Sequence, residues 1–312
     1  MAVTAQMVKE LREMTGAGMM DCKKALTESD GDYDKAVELL RERGLAIAQK
    51  KAGRVAAEGL VTTKIADGDQ KAAIVEVNAE TDFVAQNEIF QEYVDQVAEQ
   101  VLNSTAEDVE SLLTEPWGPD PSTTVQDKLT AMIAKIGENM NIRRFDRLTC
   151  EDGVIVSYIH GGGKIGVLVE AKTEDHSDKV KEALKNVAMQ IAALSPKYIS
   201  TDDVPEDYKD HEKEILVAQA KNDPKNESKP DNIIEKMITG RLNKELKEIC
   251  LLEQEYVKAE NKETVAKYLD AVSKEVGAPI TLTKFVRFET GEGIEKKEQD
   301  FAAEVAAQLG DN

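Results

Sequence analysis

A pattern of strand, glycine turn, strand, loop and helix occurs twice in this chain, and this duplication restricts the fold more than any other sequence feature. Placing Gly59 on Gly153 (153 − 59 = 94) also aligns the glycine turns and the apolar residues of each strand and helix. A hairpin with a single helix buries too little apolar surface to be stable alone. We therefore expect two related α+β subdomains that pack together, with a strand at Ile280 to Glu289 completing a sheet.

The two copies differ in the loop that joins the second strand to the helix. In the first copy, Asn78 to Asn87 is a strand-to-helix turn that contains Phe83 directly after Asp82. The corresponding loop of the second copy, Lys172 to Asp178, has no aromatic residue, so the fold itself does not require one. Phe83 either folds back under its own helix or is exposed as a contact for a partner.

Helical patterns surround the duplicated region. Thr4 to Lys51 predicts a compact unit of three short helices that resembles a ubiquitin-associated domain. Met19 and Met20 begin its second helix, where methionine either fills a small core or belongs to an exposed binding patch.

A proline- and glycine-rich stretch, Val109 to Pro121, predicts a loop whose Trp117 packs against a neighbouring helix. Further helices are predicted at Thr124–Glu138, at Glu212–Ala220 and Ile233–Ile249 as an antiparallel hairpin, at Thr264–Val276, and at Asp300–Leu309.

Composition excludes several classes of protein. The formal net charge of −20 argues against a protein that grips a phosphate backbone, so we expect no direct nucleic-acid binding. Cys22, Cys150 and Cys250 form no CxxC pair, which favours a reducing compartment over a disulfide framework or a zinc site. No apolar run approaches the length needed to span a bilayer. We expect a soluble, cytoplasmic protein without a membrane partner.

The sequence contains no recognisable catalytic arrangement. The histidines His160, His176 and His211 lie in unlike contexts, and no HExxH, GxSxG or paired Cys/His element is present. Two glycine-rich runs, TGAGMMDCKK and GGGKIG, lack the spacing of a phosphate-binding loop. We therefore expect no enzyme activity, no metal and no cofactor.

Basic residues are concentrated in the run NIRRFDRL, Asn141 to Leu148, which places Arg143 and Arg144 beside Phe145. This run is either an edge strand with solvated charges or a surface that forms ion pairs with an acidic partner.

Two long stretches carry a resemblance to a known family. EVNAETDFV at residues 76–84 and LREMTGAGMMDCKKAL at residues 11–26 resemble both sequence signatures of the elongation factor Ts family, the nucleotide-exchange factors for the GTPase elongation factor Tu. Similarity continues through residues 136–145, 158–170 and 287–306. The departures are few, namely Ala79, Gln86 and Gln190.

The resemblance implies a function and a set of site residues. It implies binding to elongation factor Tu carrying GDP and release of that GDP, so that GTP can bind. Asp82 and Phe83 would intrude into the GTPase domain and disturb its magnesium and phosphate site, while Thr81 and Val84 shape the turn. The magnesium belongs to the partner. Further candidate contacts are Met19, Met20, Arg143 and His160. The alternative is a ubiquitin-associated-type binding adaptor without exchange activity, which leaves the duplicated core and Phe83 unexplained.

Five segments are predicted in this α+β chain. By resemblance, the hairpin insertion serves contacts with a second copy or with the partner, and an isolated solvated hairpin is the alternative. The C-terminal module, by resemblance, docks on elongation factor Tu. The boundaries are 1–54 for a three-helix Tu-binding domain, 55–148 for a core N-subdomain, 149–199 with 256–290 for a core C-subdomain, 200–255 for the hairpin and 291–312 for the C-terminal module.

Overall fold

The computed structural model describes residues 3–66, 68–223, 226 and 229–295, and over these residues helices and antiparallel strands form an α+β fold. The helices are α1 (Ala5–Thr15), α2 (Met19–Glu28), α3 (Tyr33–Lys51), α4 (Asp82–Ala85), α5 (Glu88–Asn103), α6 (Val109–Thr114), α7 (Val125–Ile136), α8 (Asp178–Leu194), α9 (Glu206–Asn222), α10 (Asp231–Ile249) and α11 (Val265–Val276). The strands are β1 (Glu58–Ile65), β2 (Lys71–Ala79), β3 (Pro116–Trp117), β4 (Asp120–Thr124), β5 (Met140–Thr149), β6 (Gly153–His160), β7 (Ile165–Lys172) and β8 (Thr281–Glu289).

Two three-stranded antiparallel sheets repeat the same design. Their strand orders are β1-β2-β5 and β6-β7-β8, so the predicted third strand completes the second sheet. The central strands each carry an irregularity, after Glu76 in the first sheet and after Glu170 in the second (170 − 76 = 94). A Cβ atom on Gly59 would collide with a carbonyl oxygen of the neighbouring strand, and so would one on Gly153. The 94-residue repeat in the sequence is therefore also a repeat of backbone geometry.

The two sheets face each other and helices cover their outer faces. Helices α5 and α7 bury their apolar sides on the first sheet, and α8 and α11 do so on the second. A third apolar cluster lies between the sheets. Main-chain hydrogen bonds at the margin of this cluster join one sheet to the other, including the bond from the Val61 N–H to the Gly163 carbonyl oxygen at 2.7 Å. Each fully buried aliphatic side chain in such a cluster contributes about 1.5–3 kcal/mol. The shared cluster consists of Val61, Ala72, Ile74, Leu148, Cys150, Ile155, Leu168, Val286 and Phe288.

A buried carboxylate, that of Glu76, lies at the junction of the two sheets. Its side chain is 0% exposed and accepts hydrogen bonds from Arg143 at 2.9 Å, from Arg144 at 2.6 Å, from Asn78 at 3.0 Å and from the Gly291 N–H at 2.8 Å. Gly291 follows the last strand of the second sheet, so one side chain of β2 binds the first sheet to the second. The Arg144 guanidinium also lies 4.3 Å from the centre of the Phe288 ring.

This arrangement corrects the interpretation that the charges of the arginine-rich run are simply solvated, while the contact of Arg143 with a partner stays a prediction. Strand β5 is an edge strand, as one interpretation stated, but Arg143 and Arg144 are half-buried and both pair with the Glu76 carboxylate. The acidic group that pairs with them belongs to the chain itself. Sequence pattern could not identify this partner, because Glu76 is separated from the arginines by more than sixty residues.

The predicted three-helix unit contains α1, α2 and α3, as its sequence indicates. The Thr4 hydroxyl accepts the Met7 N–H, which caps α1 as expected for threonine at this position. The side chains of Leu11, Cys22 and Leu26 are fully buried in a core of their own. Helix α3 then packs against α7, and Gly44 lies next to the side chains of Thr130 and Ala134.

The stretch predicted as a loop, Val109 to Pro121, is instead largely structured. It contains α6, which a capping box at Asp108 begins, and the short pair β3–β4. These elements are too short to produce a recognisable periodicity. The expected packing of Trp117 on a helix is confirmed, because its buried ring lies 6.0 Å from that of Tyr93 on α5.

The charged region from Ser200 to Glu255 forms two helices that pack on each other, α9 and α10. Helix α9 begins at Glu206, earlier than the predicted Glu212. The sequence pattern missed this start because the first turns of the helix carry mainly charged residues and show little apolar periodicity. The predicted tail helix at Asp300–Leu309 lies outside the described residues. Among the helices of the described ranges, none combines the length and apolar character that a bilayer crossing requires.

The hydrogen bonds to the Glu76 carboxylate predict that the stability of the folded protein falls at acidic pH. Burial alone would raise the pKa of the Glu76 carboxyl, but hydrogen bonds from Gly291, Asn78, Arg143 and Arg144 outweigh burial and lower the pKa below its ordinary value of 4.5. A lowered folded-state pKa means that this stabilisation is complete above pH 4.5 and disappears as pH falls through the folded-state pKa.

We expect Glu76→Gln to lower the free energy of unfolding at pH 7 by about 3 kcal/mol, because it leaves two arginines beside a neutral group. The variant should also show a smaller loss of stability on acidification, measured by urea unfolding at several pH values. The matched control is Glu170→Gln, at the equivalent position of the second sheet, where the half-buried carboxylate accepts a hydrogen bond from the Thr283 hydroxyl at 2.6 Å. Equal losses in the two variants would contradict the role assigned to Glu76.

Candidate partner-binding site

The Phe83 ring projects from a one-turn helix, α4, between β2 and α5. Phe83 is 80% exposed, whereas its neighbour Val84 is 8% exposed and joins the core of the first sheet. The interpretation that Phe83 folds back under its own helix is therefore wrong. Its role as a partner contact stays a prediction, and the exposed Asp82 carboxylate lies directly beside it.

Hydrogen bonds fix the backbone of this turn on both sides of Phe83. The Thr81 hydroxyl oxygen accepts the Val84 N–H at 3.4 Å, which makes Thr81 the N-cap residue of α4. After the turn, the Gln86 N–H reaches the carbonyl oxygens of Asp82 and Phe83 at 3.3 and 3.2 Å. Since Val84 is buried and both ends are bonded, the Phe83 ring is held outward by its own backbone.

A groove of about 470 Å³ runs along α5, the helix that follows this turn. One wall is α5, whose first residues follow α4, and the other is the glycine turn between β6 and β7. Its floor contains Leu60, Val61 and Val94. The rim is acidic, with carboxylates from Glu88, Glu92 and Asp95, and the last of these is paired with Lys64 at 2.7 Å.

His160 lies next to this groove. It ends β6 immediately before the glycine turn, and Ile159 lines the groove wall. The exposed His160 ring nitrogen Nδ1 is 2.9 Å from the hydroxyl oxygen of Tyr158. The structure thus brings the turn of His160 and the helix that follows Phe83 to opposite sides of one groove, although their sequence positions are distant.

Met19 and Met20 are exposed at the start of α2, so their interpretation as core residues is wrong. Sequence analysis missed a third exposed methionine, Met14, at the end of α1. These three residues, here called the methionine patch, lie on either side of the short α1–α2 connection. Their exposure is consistent with a flexible apolar contact surface.

Arg143 does not join the surface around Phe83. Its guanidinium is half-buried and bonds the Glu76 carboxylate and the Glu292 carbonyl oxygen. The structure therefore gives Arg143 an internal contact, and its role as a partner contact stays a prediction.

The cysteines are buried and poorly suited to nucleophilic chemistry. Burial raises the pKa of the Cys22, Cys150 and Cys250 thiols, in the last case to about 11. A neutral thiol is a weak nucleophile and a poor metal ligand. In the part of the chain that the structure describes, no group of three or more His, Cys, Asp or Glu side chains is arranged to hold a metal ion.

Comparison with known proteins gives consistent results along the chain. The sequence model of a family described as "Elongation factor TS" matches residues 80–292. Proteins described as "Elongation factor Ts" are similar over nearly their full lengths. That of Clostridium novyi (strain NT) is 57% identical over 307 residues, covering 98% of this chain and 99% of the relative. That of Clostridium perfringens (strain 13 / Type A) is 57% identical over 308 residues, covering 99% of each. That of Clostridium tetani (strain Massachusetts / E88) is 55% identical over 307 residues, covering 98% and 99%.

The exposure of Phe83 predicts that its ring contributes little to folding. We expect Phe83→Ala to change the free energy of unfolding by less than about 0.5 kcal/mol, as for surface substitutions in general. Phe90→Ala, which removes a ring that is 0% exposed, should cost about 3–5 kcal/mol. Urea unfolding of both variants measures the difference. A large loss in the Phe83 variant would show that the ring packs inside the fold.

Proposed function

This chain belongs to the elongation factor Ts family, and we propose that it binds elongation factor Tu carrying GDP and promotes release of the GDP. The observation that carries this proposal is the exposed Phe83 ring on a backbone fixed at both ends. Burial of such a ring is worth about 1.5–3 kcal/mol. That free energy is available on binding, since folding leaves the ring in water.

Rigid presentation makes Phe83 suitable as a wedge, meaning a side chain that enters the partner and displaces its residues. A ring on a mobile loop would lose conformational freedom on binding, which weakens its effect on the partner. Here Val84 is already packed in the core and Thr81 already caps the turn. The ring therefore enters the GTPase domain with little reorganisation of its own chain.

The exchange step requires coupling between two ligands of elongation factor Tu. A GTPase holds its nucleotide through a phosphate cradle, a magnesium ion and a base pocket together. Phe83 and the adjacent Asp82 bind best when the magnesium and phosphate site is disturbed. The protein then weakens nucleotide binding by the same free energy by which nucleotide weakens the protein. After GDP leaves, GTP occupies the empty site.

A second contact forms through the methionine patch of the three-helix unit. Flexible thioether side chains adapt to an apolar partner surface without a fixed geometry. This contact supplies affinity, whereas Phe83 supplies the displacement at the nucleotide site. The acidic rim of the groove beside Phe83 favours a partner surface with basic residues around an apolar centre.

Exchange activity tests the wedge directly. We expect Phe83→Ala to reduce the acceleration of GDP release by at least about tenfold, because a central aromatic contact is typically worth 2 kcal/mol or more. The measurement is release of fluorescent GDP from elongation factor Tu of the same organism at fixed magnesium. The control Val257→Ala shortens another exposed apolar side chain outside the site and should retain full acceleration.

Two other outcomes of this experiment have clear meanings. Acceleration retained by Phe83→Ala would keep the exchange function and move its site. No acceleration by the wild-type protein would favour the alternative of a binding adaptor without exchange activity.

The methionine patch predicts a different defect. We expect the double substitution Met19→Ala, Met20→Ala to raise the concentration for half-maximal exchange by about tenfold, because two apolar contacts are lost. The maximal rate at saturating protein should remain within about twofold, since Phe83 is unchanged. Deletion of residues 1–51 is a poorer test, because α3 packs on α7 and its removal would expose the core. A fall in maximal rate with unchanged half-saturation would contradict the assignment.

A further inference from the structure

A single carboxylate, that of Glu138, binds both donors of the residue that begins α4. Its two oxygens accept the Thr81 N–H at 3.0 Å and the Thr81 hydroxyl at 2.7 Å. The Thr81 hydroxyl oxygen also accepts the Val84 N–H, but at 3.4 Å this capping contact is much longer than the hydrogen bond from the hydroxyl to Glu138. The position of Thr81 is therefore set mainly by Glu138, which lies in the connection between α7 and β5, 57 residues away in sequence.

The two segments bind each other reciprocally. Glu80, just before Thr81, accepts the Asn139 N–H at 2.6 Å, while Glu138, just before Asn139, accepts the Thr81 N–H. Hydrogen bonds to a carboxylate are roughly twice as strong as those between neutral groups. The pair of carboxylates thus joins the end of β2 to the start of β5 immediately before the Phe83 turn.

The same cluster includes the connection that leads from the three-helix unit. The Asn139 side-chain amide donates to the Arg54 carbonyl oxygen at 2.7 Å, and the Arg54 guanidinium lies 3.4 Å from Glu80. Lys51, at the end of α3, bonds the Gly137 carbonyl oxygen. The residues that follow α3 and the residues that orient α4 therefore share one hydrogen-bonded cluster.

Helix α4 depends on contacts from outside itself. It has four residues, and a single helical turn is not stable without external support. Val84 and Ala85 pack on the core, and the Gln86 N–H closes the end of the turn. An outside contact can therefore set the orientation of the turn at its start, where Thr81 lies. The Thr81 bonds to Glu138 supply the second fixed point and so determine the direction of Phe83.

We propose that Glu138 is a positioning residue for Phe83, acting through Thr81, and that its loss lowers the maximal rate of nucleotide exchange more than it lowers affinity for elongation factor Tu. This inference rests on the proposed exchange function. Affinity is largely preserved because a misdirected ring and the methionine patch still contact the partner. The maximal rate falls because the wedge reaches the magnesium and phosphate site less often in its productive direction.

The test compares Glu138→Gln with Thr81→Val, their double variant, and Thr81→Ser. In Glu138→Gln the amide group cannot accept both Thr81 donors, and Thr81→Val removes the hydroxyl from the same contact. We expect each single variant to lower the maximal rate of exchange by about fivefold to tenfold. The concentration for half-maximal exchange should change by less than about twofold. The double variant should lose little more, because both substitutions break one contact. Thr81→Ser keeps both donors and should stay within about twofold of wild type.

The matched control is Glu115→Gln. Glu115 is also a half-buried glutamate that accepts two side-chain hydrogen bonds, from Gln100 at 3.1 Å and from Ser104 at 2.8 Å, but it lies in the α6–β3 region. We expect this control to leave the maximal rate unchanged. It separates the loss of a buried carboxylate contact in general from loss of the contact to Thr81.

Three results would overturn the proposal. They are a Glu138→Gln maximal rate equal to that of Glu115→Gln, losses in the double variant that multiply, and a defect confined to affinity.

If Glu138→Gln fails to fold, judged by its thermal unfolding, the comparison of Thr81→Val with Thr81→Ser decides alone. No acceleration by wild type would overturn the exchange function together with this inference. Acceleration that is intact in wild type and lost in Phe83→Ala, but unaffected in Glu138→Gln, would overturn only the role of Glu138.

Discussion

The buried Glu76 carboxylate holds the two sheets in one arrangement. A charge removed from water is costly unless its oxygens are satisfied, and here two arginines, an amide and a backbone N–H satisfy them. These donors come from β2, from β5 and from the segment after β8, so the carboxylate is satisfied only when the sheets are correctly joined. The apolar cluster and main-chain hydrogen bonds also join the sheets, and Glu76 adds a contact whose donors meet only in this relative position.

The first sheet also positions the turn that exposes Phe83. The end of β2 and the start of β5 are neighbours in the first sheet, and their reciprocal bonds through Glu80 and Glu138 place the α4 turn. Because the turn is bonded on both sides and Val84 is buried, Phe83 is held outside the core. The proposed exchange function uses this exposed ring together with a partner whose nucleotide site the ring would disturb.

Sequence pattern predicted the features that depend on local periodicity. The strands of both copies, α5, α7, α8, α11 and the three N-terminal helices were accessible because their apolar residues repeat at strand or helix spacing. The repeat also identified Phe83 as a residue that the fold does not require. Pattern failed where contacts are distant or elements are short, as for the Glu76–Arg144 pair, the Glu138–Thr81 bonds and the two-residue strand at Trp117. Exposure of Phe83 and of Met19 needed three-dimensional information, because an apolar residue in a turn or first helical position is compatible with either face.

The proposed contact between Phe83 and the GTPase domain of elongation factor Tu can be tested by site-specific photocrosslinking. A benzophenone amino acid would be placed at position 83 and, in a control, at Ser177, the exposed equivalent position of the second copy (177 − 83 = 94). With elongation factor Tu carrying GDP, we expect a crosslink from position 83 to the elements that hold magnesium and phosphate, suppressed by excess unmodified protein, and none there from position 177. Formation of the complex with no crosslink from position 83 to the GTPase domain would contradict it.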